Sequence, residues 1–341
     1  MIRKYIFLIL VIFSFSSLNA QKIVFEYNID KPQIQQIGDY HFITLSNSNQ
    51  IARLGSPSIP YLPVKLLLPA GAVAKSIDFK FKNKIVIDGN YNIMPMQNVR
   101  PMNYSGENEF VLNQAVYELS SYPSFKSSEV NTEFMNGHTI ALAKYTPIRY
   151  SPATGKLAYY SKVIVTVKLA ENKQKTVVKS DFRPQIIKKV NSFVDNSSVA
   201  KGFSQSNFNI DNYEMLIITA DDYENGFDDL INNHKKRGIR AKVVSLSKVD
   251  ASVDGVDMPE KMRNYIIQEY QNNGILYVLL GGDADVVPFR ALYCEALSDG
   301  EIYSGHLPAD LYFSSLDGNW NDDADYKWGE PDEADLLPDV A

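Results

Sequence analysis

The chain has 341 residues, 34 of them basic and 40 acidic, and residues 310–341 hold ten of those acids against the single Lys327. The rest is only slightly basic and has no concentrated positive face, which argues against a nucleic-acid partner. The one cysteine, Cys294, excludes an intrachain disulfide or a cysteine zinc cluster, and 45% hydrophobic residues supply cores for about two domains.

The chain opens on "MIRKYIFLILVIFSFSSLNA". Arg3 and Lys4 precede an apolar run from Tyr5 to Phe15, and Leu18-Asn19-Ala20 gives a cleavage site after Ala20. The run falls short of the roughly 20 residues a spanning helix needs. Residues 1–20 are therefore expected to be a signal peptide, and the mature chain to be exported with no transmembrane segment.

From residue 21 to 172 the sequence alternates apolar with polar, as in "KIVFEYNI", "HFITLS", "SIDFKFKNKIVI", "HTIALAKY" and "KVIVTVKL". In "SPATGKL", Pro152 and Gly155 punctuate a hairpin. The pattern predicts an all-β antiparallel sandwich or barrel. The proline-rich "GSPSIPYLP" is expected to be extended and to lie against a sheet edge. Residues 173–210 are charged and rich in Ser and Asn, which reads as an exposed linker open to proteases.

Beyond residue 211 the pattern changes. "YEMLIIT", "AKVVSL" and "LYVLLGGD" are apolar strands, separated by helices in "DDYENGFDDLINNHKKRG" and "MPEKMRNYIIQEYQNNG". Strand and helix in strict alternation predict an α/β unit with a parallel sheet over 211–341. Gly281-Gly282 follows a strand end, but no phosphate-binding glycine motif accompanies it, so Asp283 and Asp285 are expected to hold the loop or donate to a structural ion. In "DGNWNDDAD", the oxygens of Asp317, Asn319, Asn321, Asp323 and Asp325 fall on alternate positions, a donor set suited to Ca²⁺. The spacing departs from an EF-hand: Asp322 stands at the sixth position and Trp328 at the twelfth, with Glu330 two residues too late.

Taken in order, "GSPSIPYLP", "YSPATGKLAYYSKVIVTVKL", "YEMLIITADDY", "HKKRGIRAKVV", "LYVLLGGDADVVPFR", "DLYFSSLDGNWNDD" and "LLPDVA" resemble the gingipain family of secreted cysteine peptidases. The resemblance implies a β-rich prodomain, then a caspase-like catalytic domain that binds calcium and hydrolyses protein or peptide substrates with a Cys–His dyad. It also implies that "PDVA" continues as the next strand, with both dyad residues downstream of Ala341. Such a prodomain would dock on its own catalytic domain, with Lys189 and Lys201 as maturation sites. A close cousin of this reading is the gingipain-like sortase of type IX secretion, which trims exported proteins at the cell surface and would make that machinery a partner. Cys294 and His306 within this chain are not expected to pair catalytically, because the cysteine precedes the histidine and Leu307-Pro308 replaces a small residue. The alternative is a non-catalytic secreted adhesion module built on a peptidase-like α/β half.

Overall fold

The computed structural model describes residues 22–98, 109–124, 126–172, 180–197, 213–298, 301–330 and 336–341. Its amino-terminal half is built from strands β1 (Lys22–Asn28), β2 (Gln33–Ile37), β3 (Tyr40–Thr44), β4 (Asn49–Ile51), β5 (Ile59–Leu67) and β6 (Ala72–Ile87). After a single helical turn, α1 (Gln114–Tyr117), come β7 (Asn131–Met135), β8 (His138–Tyr145), β9 (Ile148–Ser151) and β10 (Lys156–Glu171).

One sheet runs β1-β10-β6 with β9 also on β10, the other β4-β5-β8-β7, and all these pairs are antiparallel. Alternation along β10 turns Val163, Val165 and Val167 inward against Val64 and Leu66 of β5 and Ala141 and Tyr145 of β8. Each of these side chains is buried, and a buried Val or Leu is worth about 1.5–3 kcal/mol. The expected sandwich is thus observed. Gly155, at φ 63°, makes the left-handed turn between β9 and β10.

The proline-rich segment does not lie at an edge. It forms β5, inside its sheet between β4 and β8. Lys65 N and Leu67 N donate to Asp195 Oδ2 and Asn196 Oδ1, so odd-numbered amides of β5 face the β4 side. Pro63 looks to that side beyond the three residues that β4 pairs, while Pro60 looks to the β8 side before pairing there begins at Leu62. Neither proline interrupts a ladder.

The expected exposed linker is also corrected over its described part. Residues 180–197 carry helix α2 (Pro184–Phe193), with Pro184 in its first turn. Ile186, Val190 and Val194 pack on Leu67, Met135 and Ile140 of the sandwich and on Leu337 from the far end of the chain.

The second half opens with β11 (Met215–Thr219), entirely buried, as a strand covered on both faces must be. A 3₁₀ stretch, Asp221–Phe227, replaces the amino-terminal part of the expected helix and leads into α3 (Asp228–Lys236). Next come β12 (Ala241–Ser245), α4 (Leu246–Ser252), α5 (Met258–Asn273) and β13 (Tyr277–Leu280). Asp257 caps α5 by accepting Glu260 N, and Gly274, at φ 65°, ends it. The sheet order is β12-β11-β13, all parallel. Ala341 N donates to Leu276 O and Val278 N to Ala341 O, so the last residues lie alongside β13 as a further strand would. An antiparallel hairpin not expected from the sequence, β14 (Ala291–Ser298) with β15 (Glu301–Pro308), precedes the short helix α6 (Leu311–Ser314).

Candidate functional site

The hairpin sets the relation between Cys294 and His306. Tyr293 pairs with His306, and Cys294 with Gly305. Successive side chains on a strand point to opposite faces, so Cys294 and His306 leave the hairpin on opposite sides. Cys294 Sγ lies 3.5 Å from Gly305 O, and the His306 ring meets Tyr293 edge-on. The two side chains therefore do not face one another on this ribbon.

At the carboxyl ends of the parallel strands, Thr219 Oγ1 donates to Gly281 O at 2.6 Å, and Ser247 donates to Asp221. Asp283 Oδ1 accepts Asp285 N at 3.1 Å and so holds its own loop.

The acidic loop is divided by the fold. Asp317 is 2% exposed, and Arg263 clamps its backbone by donating to the carbonyls of Ser315 at 3.0 Å and Asp317 at 2.8 Å. It takes no place in the carboxylate cluster of the loop, which consists of Asp323, Asp325 and Glu330 with oxygens within 4.8 Å of one another. Asn319 is exposed, and Asn321 Nδ2 donates to Asp325 O at 3.0 Å. Asn321 Oδ1 is buried with no hydrogen-bond partner among the described residues. Asp323 and Asp325 each accept a backbone amide two residues on, and Lys327 Nζ stands 3.6 Å from Glu330. Three carboxylates suit a hard cation in kind, but they supply only part of the six to eight oxygens Ca²⁺ takes.

A buried polar arrangement lies between the two halves. β7 and β8 are joined by Asn136-Gly137, both at positive φ (50° and 70°), the two-residue hairpin turn these residues favour. Such turns are usually solvated, yet Asn136 is 0% exposed. Its backbone N–H donates to a carboxylate oxygen of Asp339, and its Nδ2 donates to Asp339 O at 2.7 Å and to Tyr270 Oη at 3.0 Å. The other carboxylate oxygen of Asp339 accepts Leu316 N at 2.8 Å. From α2, Lys189 Nζ donates to Pro338 O at 2.6 Å and to Asp339 O at 3.4 Å. Arg183 is paired with Asp181 and donates to Gly274 O at the end of α5. Tyr270 Oη donates to Asp181 Oδ2 at 3.3 Å, and His138 Nε2 to Asp181 O at 2.7 Å.

Burial, with the Asp317 carboxylate adding to it, pushes the Asp339 carboxyl up to about 7. Burial also pulls Lys189 and His138 down and pushes the Tyr270 hydroxyl up. Lys189 is thus set into a helix with its ammonium on a carbonyl, not displayed as a scissile residue. Lys201 and Ala20 lie outside the described residues. Sequence reasoning missed Asn136, Arg183, Tyr270 and Asp339. The only local signal was Asn-Gly between two strand patterns.

The β-sandwich thus sinks a turn and a helix into the α/β unit that follows it in the chain. The family profile Propeptide_C25 matches residues 14–199, and that of Peptidase family C25 matches residues 209–341. The chain belongs to peptidase family C25, the gingipain family of cysteine peptidases, and carries the propeptide of that family. It is 24% identical over 188 residues to gingipain R2 of Porphyromonas gingivalis, across 50% of this chain and 23% of that protein. The chain therefore spans about a quarter of that relative's length.

Among solved structures, one on the zymogenic latency of gingipain K from P. gingivalis covers 44% of this chain and 86% of its own, at 18% identity and a TM-score of 0.37. A complex of the RgpB pro- and mature domains covers 54% and 96%, at 14% identity and a TM-score of 0.40. Both likenesses are too loose to bear on side-chain geometry.

Proposed function

We propose that this chain is the prodomain and the first part of the catalytic domain of an exported cysteine endopeptidase zymogen. The reading rests on one observation: the region matched by the propeptide profile buries a hairpin turn and a helix against the region matched by the peptidase profile. In this reading the sandwich is held on the α/β unit until the connector between them is cut, Lys201 being the remaining lysine candidate. The nucleophilic thiolate and its histidine come from sequence beyond residue 341, and protein or peptide bonds are the substrate. The histidine would lower the thiol's pKa and later protonate the leaving amine. When bound, calcium would supply fixed positive charge to the loop of Asp323, Asp325 and Glu330.

A thiol-directed probe tests the assignment on the native exported protein. Labelling should appear after connector cleavage, on a cysteine other than Cys294, and should be blocked by a peptide inhibitor. Labelling confined to Cys294, or no gain of labelling on cleavage, would overturn it.

A further inference from the structure

β1 is an edge strand of the sandwich: it pairs with β10 on one side and with no other strand among the described residues. Its hydrogen-bonding phase follows from Ile29 N, which donates to Ser161 O at 2.9 Å and continues the β1–β10 register. In an antiparallel ladder every second residue bonds to the partner strand. The odd-numbered residues of β1 therefore face β10, and the amides and carbonyls of Lys22, Val24 and Glu26 point to the open side. A row of unpaired backbone groups of this kind is a template for another strand.

The side chains say which strand fits. Lys22, Val24 and Glu26 are exposed, Val24 at 54%, while Ile23 and Phe25 pack against the sandwich core. Two copies of β1, laid antiparallel about a two-fold axis at Val24, put Lys22 opposite Glu26 of the second copy and Glu26 opposite its Lys22. Val24 then meets Val24, and on the inner face Ile23 meets Phe25. In this register Lys22, Val24 and Glu26 are the residues that exchange backbone bonds, which is the phase the open edge demands. Moving the axis to Phe25 would set Val24 against Glu26 and lose both charge pairs. Moving it to Glu26 would set that carboxylate against its own copy. Glu26 Oε1 lies 2.6 Å from Lys162 Nζ, which leaves Oε2 for the lysine of the second copy. The opposite edge of the sheet, β6, carries the exposed Lys80, Lys82 and Lys84, the usual guard against strand addition, and β1 has no such row.

We propose that the chain forms a two-fold dimer through β1, joining two sandwich sheets into one continuous sheet of order β6-β10-β1-β1-β10-β6. The occupant of the open edge is a second copy of this chain, because the register that satisfies the backbone phase also gives each side chain its complement. The dimer is independent of the zymogen reading.

Sedimentation equilibrium of the chain from Gln21, the terminus expected after export, tests the proposal. At tens of micromolar the mass should be twice that of the chain. Val24→Pro removes the outward amide at the axis and leaves the β1–β10 bonds in place, and it should weaken association by about tenfold or more. Lys22→Glu sets carboxylates against each other at both ends of the joint and should weaken association several-fold. Within its own sheet the new carboxylate faces Lys168, so the fold itself is not weakened. The double variant Lys22→Glu, Glu26→Lys exchanges the two charges and should recover most of that loss. A monomer at every concentration, a dimer unchanged in both single variants, or a double variant as weak as Lys22→Glu would overturn the proposal. The readout is mass alone, so it stands apart from any peptidase activity.

Discussion

At the scale of single residues, Asn136 does two unrelated jobs. Its backbone sits at φ 50°, which asparagine accepts at small cost, and its amide fills a buried polar gap. Two substitutions separate the jobs. Asn136→Gly keeps the turn and loses the side-chain donations, and should cost about 1–3 kcal/mol in urea unfolding of the 341-residue chain. Asn136→Ala adds the strain of a Cβ at positive φ and should cost about 1 kcal/mol more. Equal losses would show that the turn carries no strain at this position. The Asn-Gly pair was legible in the sequence as a turn. Its burial was not, because that depends on Asp339, some two hundred residues away, and no local pattern encodes a contact of such range.

At the scale of elements, α2 shows how composition can hide a helix. Ile186, Val190 and Val194 recur at intervals of four and make one apolar stripe, but the lysines and Ser-Asn content around them read as a solvated linker. The stripe packs in the seam between Leu67, Met135 and Ile140 of the sandwich and Leu337 of the far end of the chain. Ile186→Ala should cost about 2–4 kcal/mol on thermal or urea melting, the usual range for a buried isoleucine. A loss below about 0.5 kcal/mol would mean that α2 does not close the seam. The β14–β15 hairpin was missed for a different reason: Tyr293, His306 and Leu307 lie on a two-stranded ribbon that takes little part in the core, so its alternation lacks a strong apolar face. In the acidic loop, alternate spacing picked out Asp323 and Asp325 but not Glu330, whose arrival depends on the turn at Gly329, φ 81°. Millimolar Ca²⁺ should raise the melting temperature, and Glu330→Gln should reduce the shift. An unchanged melting curve would remove calcium from the loop.

At the scale of the molecule, the two halves were legible because the sandwich keeps a period of two and the chain from β11 to β13 places helices between apolar strands. How they join was not legible, since the joint is built from side chains of mixed character. The joint should also respond to pH. Asp339 has its pKa raised from 3.8 to about 7, so its stabilising share is complete below about pH 4 and is lost as pH rises to about 7. Lys189, Asp317, Asp181, Arg183 and Tyr270 are the other charged or titratable groups around it. His138, lowered from 6.5 by burial, acts in the opposite sense, and its contribution is lost as pH falls below 6.5. The urea midpoint of the wild-type chain should therefore fall between pH 6 and pH 8, and Asp339→Asn should flatten that limb. A variant profile parallel to the wild type would exclude Asp339 as its origin.

The backbone bonds between Ala341 and the β13 segment carry one more consequence. Asp339 stands two residues before Ala341, so its orientation is fixed by the register in which that segment settles beside β13. A slip of one residue would turn its carboxylate to the opposite face and leave the amide of Asn136 without an acceptor. The bond from Asn136 to Asp339 is therefore tied to this one alignment of the last residues beside β13.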